Sequence, residues 1–282
     1  MPDTAPVVLT IAGFDPSSGA GVTADIKTIA AHGCYGVSCI TALTVQSTAG
    51  VRRVESVNPK FLTATLEELS SDVAISAVHI GMLGTGRVAA AVAQFLKARK
   101  LPNIVLDPIL KSSSGAALLD RSGRRVLLDK LLPLATVITP NADEAAVLTG
   151  LPVTNPKEMA AAASKLHALG ASAVVITGGD LEKAIDLLSF PSPQGPQQEL
   201  FKAERQTSTS THGTGCAFAT AMACHLALGR SLPEAVLLSK AYVSAAIANA
   251  VPVGKGTGPV HHLYRMHEPR RPLKTGAGVD HS

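Results

Sequence analysis

The feature that most constrains this chain is a recurrence of short apolar runs, most of them stopped at the carboxyl end by Gly, Pro, Asp or Asn and most followed by a helical pattern. The runs are Val7 to Ala12, Val37 to Val45, Ala77 to Ile80, Ile104 to Asp107, Ala135 to Ile138 and Ala173 to Thr177. Strands without polar alternation are buried on both faces, as in parallel sheets. Helical spacing is expected at 20–32 (closed by Gly33), 59–70, 86–100, around 116–131, at 142–149 and at 157–169 (closed by Gly170). Repeated strand–helix units demand right-handed crossovers. Ile185 to Phe190 and Glu199 to Arg205, around a turn rich in Pro, Gly and Gln, read as an antiparallel edge hairpin. Gly213 to Leu228 and Pro233 to Ala250 close the pattern as two apolar helices. The expected fold is α/β: a mostly parallel sheet, helices on both faces, one antiparallel edge hairpin. A single domain over 1–266 is expected, with 267–282 a solvated tail.

Composition fits that architecture and excludes others. Hydrophobic residues make up 46% and aromatics only 3%, so Ala, Val, Ile and Leu must fill the core. The net charge of +4 is thinly spread, with Arg265, Arg270, Arg271 and Lys274 near the carboxyl end, which argues against nucleic-acid binding. Cys34, Cys39, Cys216 and Cys224 form no CxxC pair, so reduced thiols are expected. No apolar stretch reaches a membrane span, and Met1 to Pro6 lacks the pattern of an export signal. A soluble, cytoplasmic protein is expected.

In open α/β sheets ligands bind beyond the carboxyl ends of the strands. The loops after Ala12, Val45, Ile80, Asp107, Ile138 and Thr177 should therefore line one crevice. The strongest motif is Ser210-Thr211-His212-Gly213-Thr214-Gly215-Cys216, directly before an apolar helix. Glycines admit a ligand to the backbone and the helix start offers amides to developing negative charge, as phosphoryl transfer requires. The same residues also suit a tight turn capped by Thr211. Cys216, in the first helical turn, has its thiolate favoured by the helix dipole and could act as a general base; a buried inert thiol is the alternative. Asn141 and Glu144 have the spacing of a capping box, and together with Asp107 could hold Mg²⁺ through water near nucleotide phosphates. Asp25, one turn into the first helix, is either satisfied by the dipole or aimed at a ligand. Gln46 could read a heteroaromatic edge, Met82 is core filler or contact, and Gly178-Gly179-Asp180 is a turn open to the crevice. His261-His262, with no spaced carboxylate, is assigned no metal.

In order, Leu9-Thr10-Ile11-Ala12-Gly13-Phe14-Asp15-Pro16-Ser17-Ser18-Gly19-Ala20-Gly21, Ile80-Gly81-Met82-Leu83, Leu106-Asp107-Pro108, Ile138-Thr139-Pro140-Asn141, the Ser210 to Cys216 motif and Gly254 to His262 resemble the hydroxymethylpyrimidine/phosphomethylpyrimidine kinases of thiamin biosynthesis, over roughly residues 7 to 264. The resemblance implies a ribokinase-like three-layer sandwich, a homodimer, and two phosphoryl transfers from ATP with Mg²⁺, first to the pyrimidine alcohol and then to its monophosphate. It implies Gly13, Asp25, Gln46, Met82 and Ile109 around the pyrimidine, Cys216 as base, Gly213 and Gly215 as the anion hole, and Thr177, Gly179 and Thr214 near the nucleotide. Phe14, Ser18, Thr23, Lys111 and Thr177 depart from the family pattern. A pyridoxal or pyridoxine kinase is the alternative enzyme, and a non-catalytic pyrimidine sensor the alternative of another class.

Overall fold

The computed structural model of the protein describes residues 5–112, 114–179, 185–192, 195–202, 208 and 210–266. Its strands are β1 (Val7–Phe14), β2 (Tyr35–Ser47), β3 (Gly50–Ser56), β4 (Ile75–Ile80), β5 (Ile104–Leu106), β6 (Val137–Ile138), β7 (Val174–Ile176), β8 (Ile185–Ser192) and β9 (Gly195–Lys202). They form one sheet in the order β3-β2-β1-β4-β5-β6-β7-β8-β9. Strands β2, β1, β4, β5, β6 and β7 are mutually parallel, and β3 and the β8–β9 hairpin are antiparallel edges. The helices are α1 (Gly21–Ala31), α2 (Pro59–Asp72), α3 (Gly86–Arg99), α4 (Arg121–Val126), α5 (Ala142–Thr149), α6 (Pro156–Ala168), α7 (Thr214–Ala227) and α8 (Leu232–Ala248).

Successive strand residues feed opposite layers, which is why the strands lack polar alternation. Leu9, Ile11, Val78, Ile80, Leu106 and Ile138 pack with residues of α2, α3, α5 and α6. Their neighbours Val8, Ala77, Val105 and Val137 pack with Ile29 of α1, Phe218 and Met222 of α7 and Val236 of α8. Each fully buried aliphatic side chain contributes roughly 1.5–3 kcal/mol. Helix α7 is buried from Ala217 to His225, squeezed between sheet, α1 and α8, and its alanines make that close approach possible.

Three local expectations change. Strand β3 was not anticipated: its two valines, Val51 and Val54, are three positions apart and show no alternation, and Arg52, Arg53 and Glu55 are charges that suit an exposed edge. The helix expected from 116 begins only at Arg121. Residues 116–120 are held as a loop by Leu118 N to Leu110 O, Gly84 N to Leu118 O and Asp120 N to Gly84 O, before Asp120 caps α4 through Gly123 N at 2.6 Å. The hairpin strands run closer to their turn than expected, with Pro191 opposite Pro196, which an edge tolerates. The tail 267–282 and the hairpin end 203–205 lie outside the described residues.

His225 meets His32 edge-on at 4.9 Å, and Tyr242 Oη donates to the His262 carbonyl at 2.7 Å. Burial, aided by neighbouring His32, Arg265 and Arg230, pushes His225 down to about 4. Burial and Lys27 do the same to His262, against Asp25. Both fold as neutral rings, whereas the unfolded chain takes up protons near 6.5. Their stabilisation is therefore complete above pH 6.5 and lost as pH falls toward 4, on the order of 1–2 kcal/mol each at pH 5. Denaturant unfolding at pH 7.5 and pH 5 is the check: the stability advantage of wild type over His225→Gln should shrink by about that amount at pH 5.

Candidate active site

The loops leaving the carboxyl ends of β1, β2, β4, β5, β6 and β7 open on one cleft of about 1400 Å³. Gly13, Gln46, Met82 and Ile109 line one part of it, and Asp107, Asn141 and Glu144 its floor. Thr177 and Gly179 lie toward the β7 end, with Gly213, Thr214, Gly215 and Cys216 across from them. Gly13 makes room for Met82, whose Sδ would lie 2.8 Å from any Cβ there.

The glycine-rich turn is built by backbone contact. Gly213 has φ +83 and caps α7 without a side-chain bond, so the expected Thr211 side-chain cap is absent. Thr211 supplies only its carbonyl to Thr214 N. A Cβ on Gly213 would strike the Gly19 carbonyl oxygen, so this turn presses directly on the loop after β1. That loop is held by Asp15, whose Oδ1 accepts from Ser17 N and whose Oδ2 accepts from Ala20 N. Ser18, where the family pattern has glycine, sits at φ +59. Thr23 Oγ1 donates to the Asp15 carbonyl, and Phe14 lines the cleft.

Asp25 is the expected site residue that the structure does not bring to the cleft lining. It is wholly buried beneath the floor, its oxygens accepting from Thr10 Oγ1 at 2.6 Å and Thr220 Oγ1 at 2.9 Å, with His79 Nδ1 3.3 Å away. A carboxylate so engaged organises the floor through Thr10 and Thr220. Burial alone would lower His79, but Asp25 beside it and Asp107 beyond hold it above its ordinary value.

The floor is electrostatically unfinished. Burial, opposed by His79 and aided by Asp25, raises Asp107 to about 7, and its Oδ2 is buried with no hydrogen-bond partner among the described residues. Burial and Asp107 raise Glu144 to about 8. Asn141 and Glu144 do form the capping box: Asn141 Oδ1 accepts from Glu144 N at 2.8 Å and Glu144 Oε2 from Asn141 N at 3.0 Å. No group of three or more His, Cys, Asp or Glu is arranged to hold a metal ion among the described residues. What the floor offers a cation is the orphaned Asp107 oxygen and repelling carboxylates. Cys216 departs from expectation for the same reason. Burial and the charges of Asp107, Asp25 and Glu144 push its thiol well above its ordinary value, outweighing the Gly21 N–H.

Sequence reasoning missed the far wall, where Lys240 Nζ pairs with Asp186 Oδ2 at 2.6 Å and Asp186 Oδ1 accepts from Gly178 N. Lys240 is the one charged residue between Glu234 and Lys255, a signal that was available. His79, the one ionisable residue of β4, was another.

A mostly parallel sheet flanked by helices, with a glycine turn and buried carboxylates facing each other across its carboxyl edge, defines a ribokinase-like small-molecule kinase. The chain belongs to the phosphomethylpyrimidine kinase family, whose model matches residues 15–261. It is 44% identical over 259 residues to the hydroxymethylpyrimidine/phosphomethylpyrimidine kinase of Salmonella typhimurium, covering 91% of this chain and 97% of that protein. It is 41% identical over 265 residues to the thiamine biosynthesis bifunctional protein ThiED of Geobacter sulfurreducens; that match covers 93% of this chain but only 53% of the longer relative. Among solved structures it resembles the ADP complex of Bacillus subtilis pyridoxal kinase, with TM-score 0.84 and 33% identity over 94% of this chain and all of that one. It also resembles the Clostridium difficile phosphomethylpyrimidine kinase, with TM-score 0.76 and 37% identity over 86% and 99%.

Gly213 and Ser18, both at positive φ, yield opposite expectations. Gly213→Ala should cost roughly 1–3 kcal/mol from backbone strain alone, with further loss from its collision with Gly19, and thermal unfolding together with turnover would register both. Ser18→Gly relieves a left-handed residue and should raise stability by about 0.5–1 kcal/mol in denaturant melts.

Proposed function

We propose that this protein transfers the γ-phosphoryl group of ATP to the hydroxymethyl group of 4-amino-5-hydroxymethyl-2-methylpyrimidine and then to the monophosphate, giving the diphosphate. The observation that carries this reading is that Gly13, Gln46, Met82 and Ile109 share one cleft with the Gly213–Cys216 turn, in a chain of the phosphomethylpyrimidine kinase family. Gln46 offers a donor and an acceptor to the ring, and Met82 an apolar face. Gly213 and Gly215 place helix-start amides beside the transferring group. Thr177, Gly179 and Thr214 line the nucleotide side. Asp107, with Asn141 and Glu144 acting through its water shell, would hold Mg²⁺, whose charge supplies electrostatic stabilisation to the phosphate oxygens.

Cys216 is the proposed base for the first transfer. Its thiol gives up a proton only when the surrounding negative charge is offset, which confines reactivity to the loaded site. The second acceptor is already an anion, so positioning dominates there. A homodimer and a cytoplasmic location complete the proposal; Leu43 and Val45, exposed two residues apart on β2, offer an apolar surface for subunit contact.

The likeness to a pyridoxal kinase structure favours pyridoxal as the second reading. A product assay with MgATP and the pyrimidine alcohol, its monophosphate and pyridoxal side by side separates the two. Formation of the pyrimidine diphosphate is expected; pyridoxal phosphate without any diphosphate would select the alternative, and saturable binding without ATP consumption would indicate a sensor. Cys216→Ala should lower kcat of the first transfer roughly 100-fold with KM little changed, and slow the second less; equal rates for both would remove Cys216 from the chemistry.

A further inference from the structure

Asp15 is buried at the mouth of the cleft, and both its oxygens receive hydrogens. Oδ1 accepts from Ser17 N at 2.8 Å and Ser17 Oγ at 2.6 Å. Oδ2 accepts from Gly19 N at 3.2 Å and Ala20 N at 2.9 Å, and His212 Nε2 lies 2.9 Å from the same oxygen. Burial would raise the carboxyl, but His212 and these donors hold it below the usual carboxylate range. An ionised carboxylate only accepts, so the hydrogen between Asp15 and His212 sits on His212 Nε2.

The position of that hydrogen constrains Gln46. Its Nε2 lies 3.3 Å from His212 Nε2, and its Oε1 lies 3.1 Å from Thr44 Oγ1. In this arrangement two N–H groups face each other. Thr44 also points its hydroxyl at the Phe14 carbonyl, 3.0 Å away, so one hydrogen serves two acceptors. A half-turn of the Gln46 amide exchanges two atoms of nearly the same shape, puts an acceptor instead of a second N–H against His212 Nε2, and relieves Thr44 of its second acceptor. Oε1 then shares the His212 Nε2 hydrogen with Asp15 Oδ2, the amide nitrogen donates to Thr44 Oγ1, and the Thr44 hydroxyl donates to Phe14 alone.

We propose that the Asp15–His212 pair fixes Gln46 with its carbonyl toward His212, and thereby sets which way round an aminopyrimidine enters the cleft. This deepens the functional reading above and rests on it. A 4-aminopyrimidine presents a ring nitrogen and an amino group on adjacent atoms, with the hydroxymethyl carbon just beyond the amino group. Paired with Gln46 in the turned orientation, the amino group lies on the His212 side and the ring nitrogen on the Thr44 side. The hydroxymethyl group then also lies on the His212 side, where the chain runs straight into Gly213–Cys216. The opposite amide orientation would send it toward Thr44, away from the turn. Pyridoxal has no such adjacent acceptor and amino donor, so its binding does not depend on the amide in this way. His212 is thus a positioning residue. Its backbone N donates to Gly258 O at 3.0 Å, and its ring covers Gly19, where any Cβ would collide with it.

The orientation is measurable without substrate. In protein carrying ¹⁵N-glutamine side chains, with the Gln46 signal assigned by its loss in Gln46→Leu, the amide protons should give stronger nuclear Overhauser contacts to the Thr44 methyl than to the His212 ring. The reverse order overturns the proposal. In turnover, His212→Leu should raise KM for the pyrimidine alcohol roughly 10-fold or more while leaving KM for pyridoxal nearly unchanged. His212→Gln, which keeps an N–H donor, should recover most of the loss. Equal losses on both rings would reduce His212 to support of the fold and sink the specificity claim. If wild type phosphorylates pyridoxal alone, the functional reading fails, while the amide measurement still decides the orientation.

Discussion

The cleft depends on one backbone contact, the seating of Gly213 against the Gly19 carbonyl. Neither residue brings a side chain to it, and that is the point: two main chains from distant parts of the sequence approach as closely as atoms allow. The loop after β1 and the start of α7 are thereby registered to each other. Asp15 secures the first partner by gathering loop amides, and α7, wedged between sheet, α1 and α8, immobilises the second. Since the first turn of α7 carries Cys216, the reacting end of the cleft inherits its position from this contact.

Beneath that geometry lies a charge arrangement that favours binding over resting stability. Asp25, Asp107 and Glu144 surround Cys216, and His79 sits beside Asp25, the effect of its burial outweighed by Asp25 and Asp107, which hold it above its ordinary value. Asp25 is satisfied by two threonine hydroxyls, but Asp107 keeps a buried oxygen without a partner among the described residues. Raised carboxyls on a cleft floor mean that ionising both is costly until positive charge arrives. A folded protein that stores such a deficit does so where a ligand can resolve it.

Much of this was legible in the residues, for identifiable reasons. Strands buried on both faces leave uninterrupted apolar runs, so the parallel sheet and the loops facing the crevice followed from pattern alone. Gly213, Gln46, Asp107 and Asn141 fell together because each stands at a strand or helix end that the topology gathers. Asp25 could not be placed this way, since helical periodicity does not tell a side chain aimed into the cleft from one sunk below it; Thr10, Thr220 and His79 decide that. Local sequence also gave the wrong sign for the Cys216 thiol, because the helix dipole is visible in the chain order whereas carboxylates from α1, β5 and α5 are not. Strand β3 was hidden by its own edge charges, and the Lys240–Asp186 pair by their separation in sequence.

Residues 256–260 give the chain a particular order of completion. Gly256 N donates to Thr48 Oγ1, 208 positions earlier, while Gly258 and Val260 bracket the backbone of His212. On the ribosome, the sheet and its first helices can condense long before these residues emerge. The walls of the cleft cannot. A nascent or prematurely terminated chain would therefore carry a competent scaffold without a competent site, and this late segment acts as the fastener that joins the two walls.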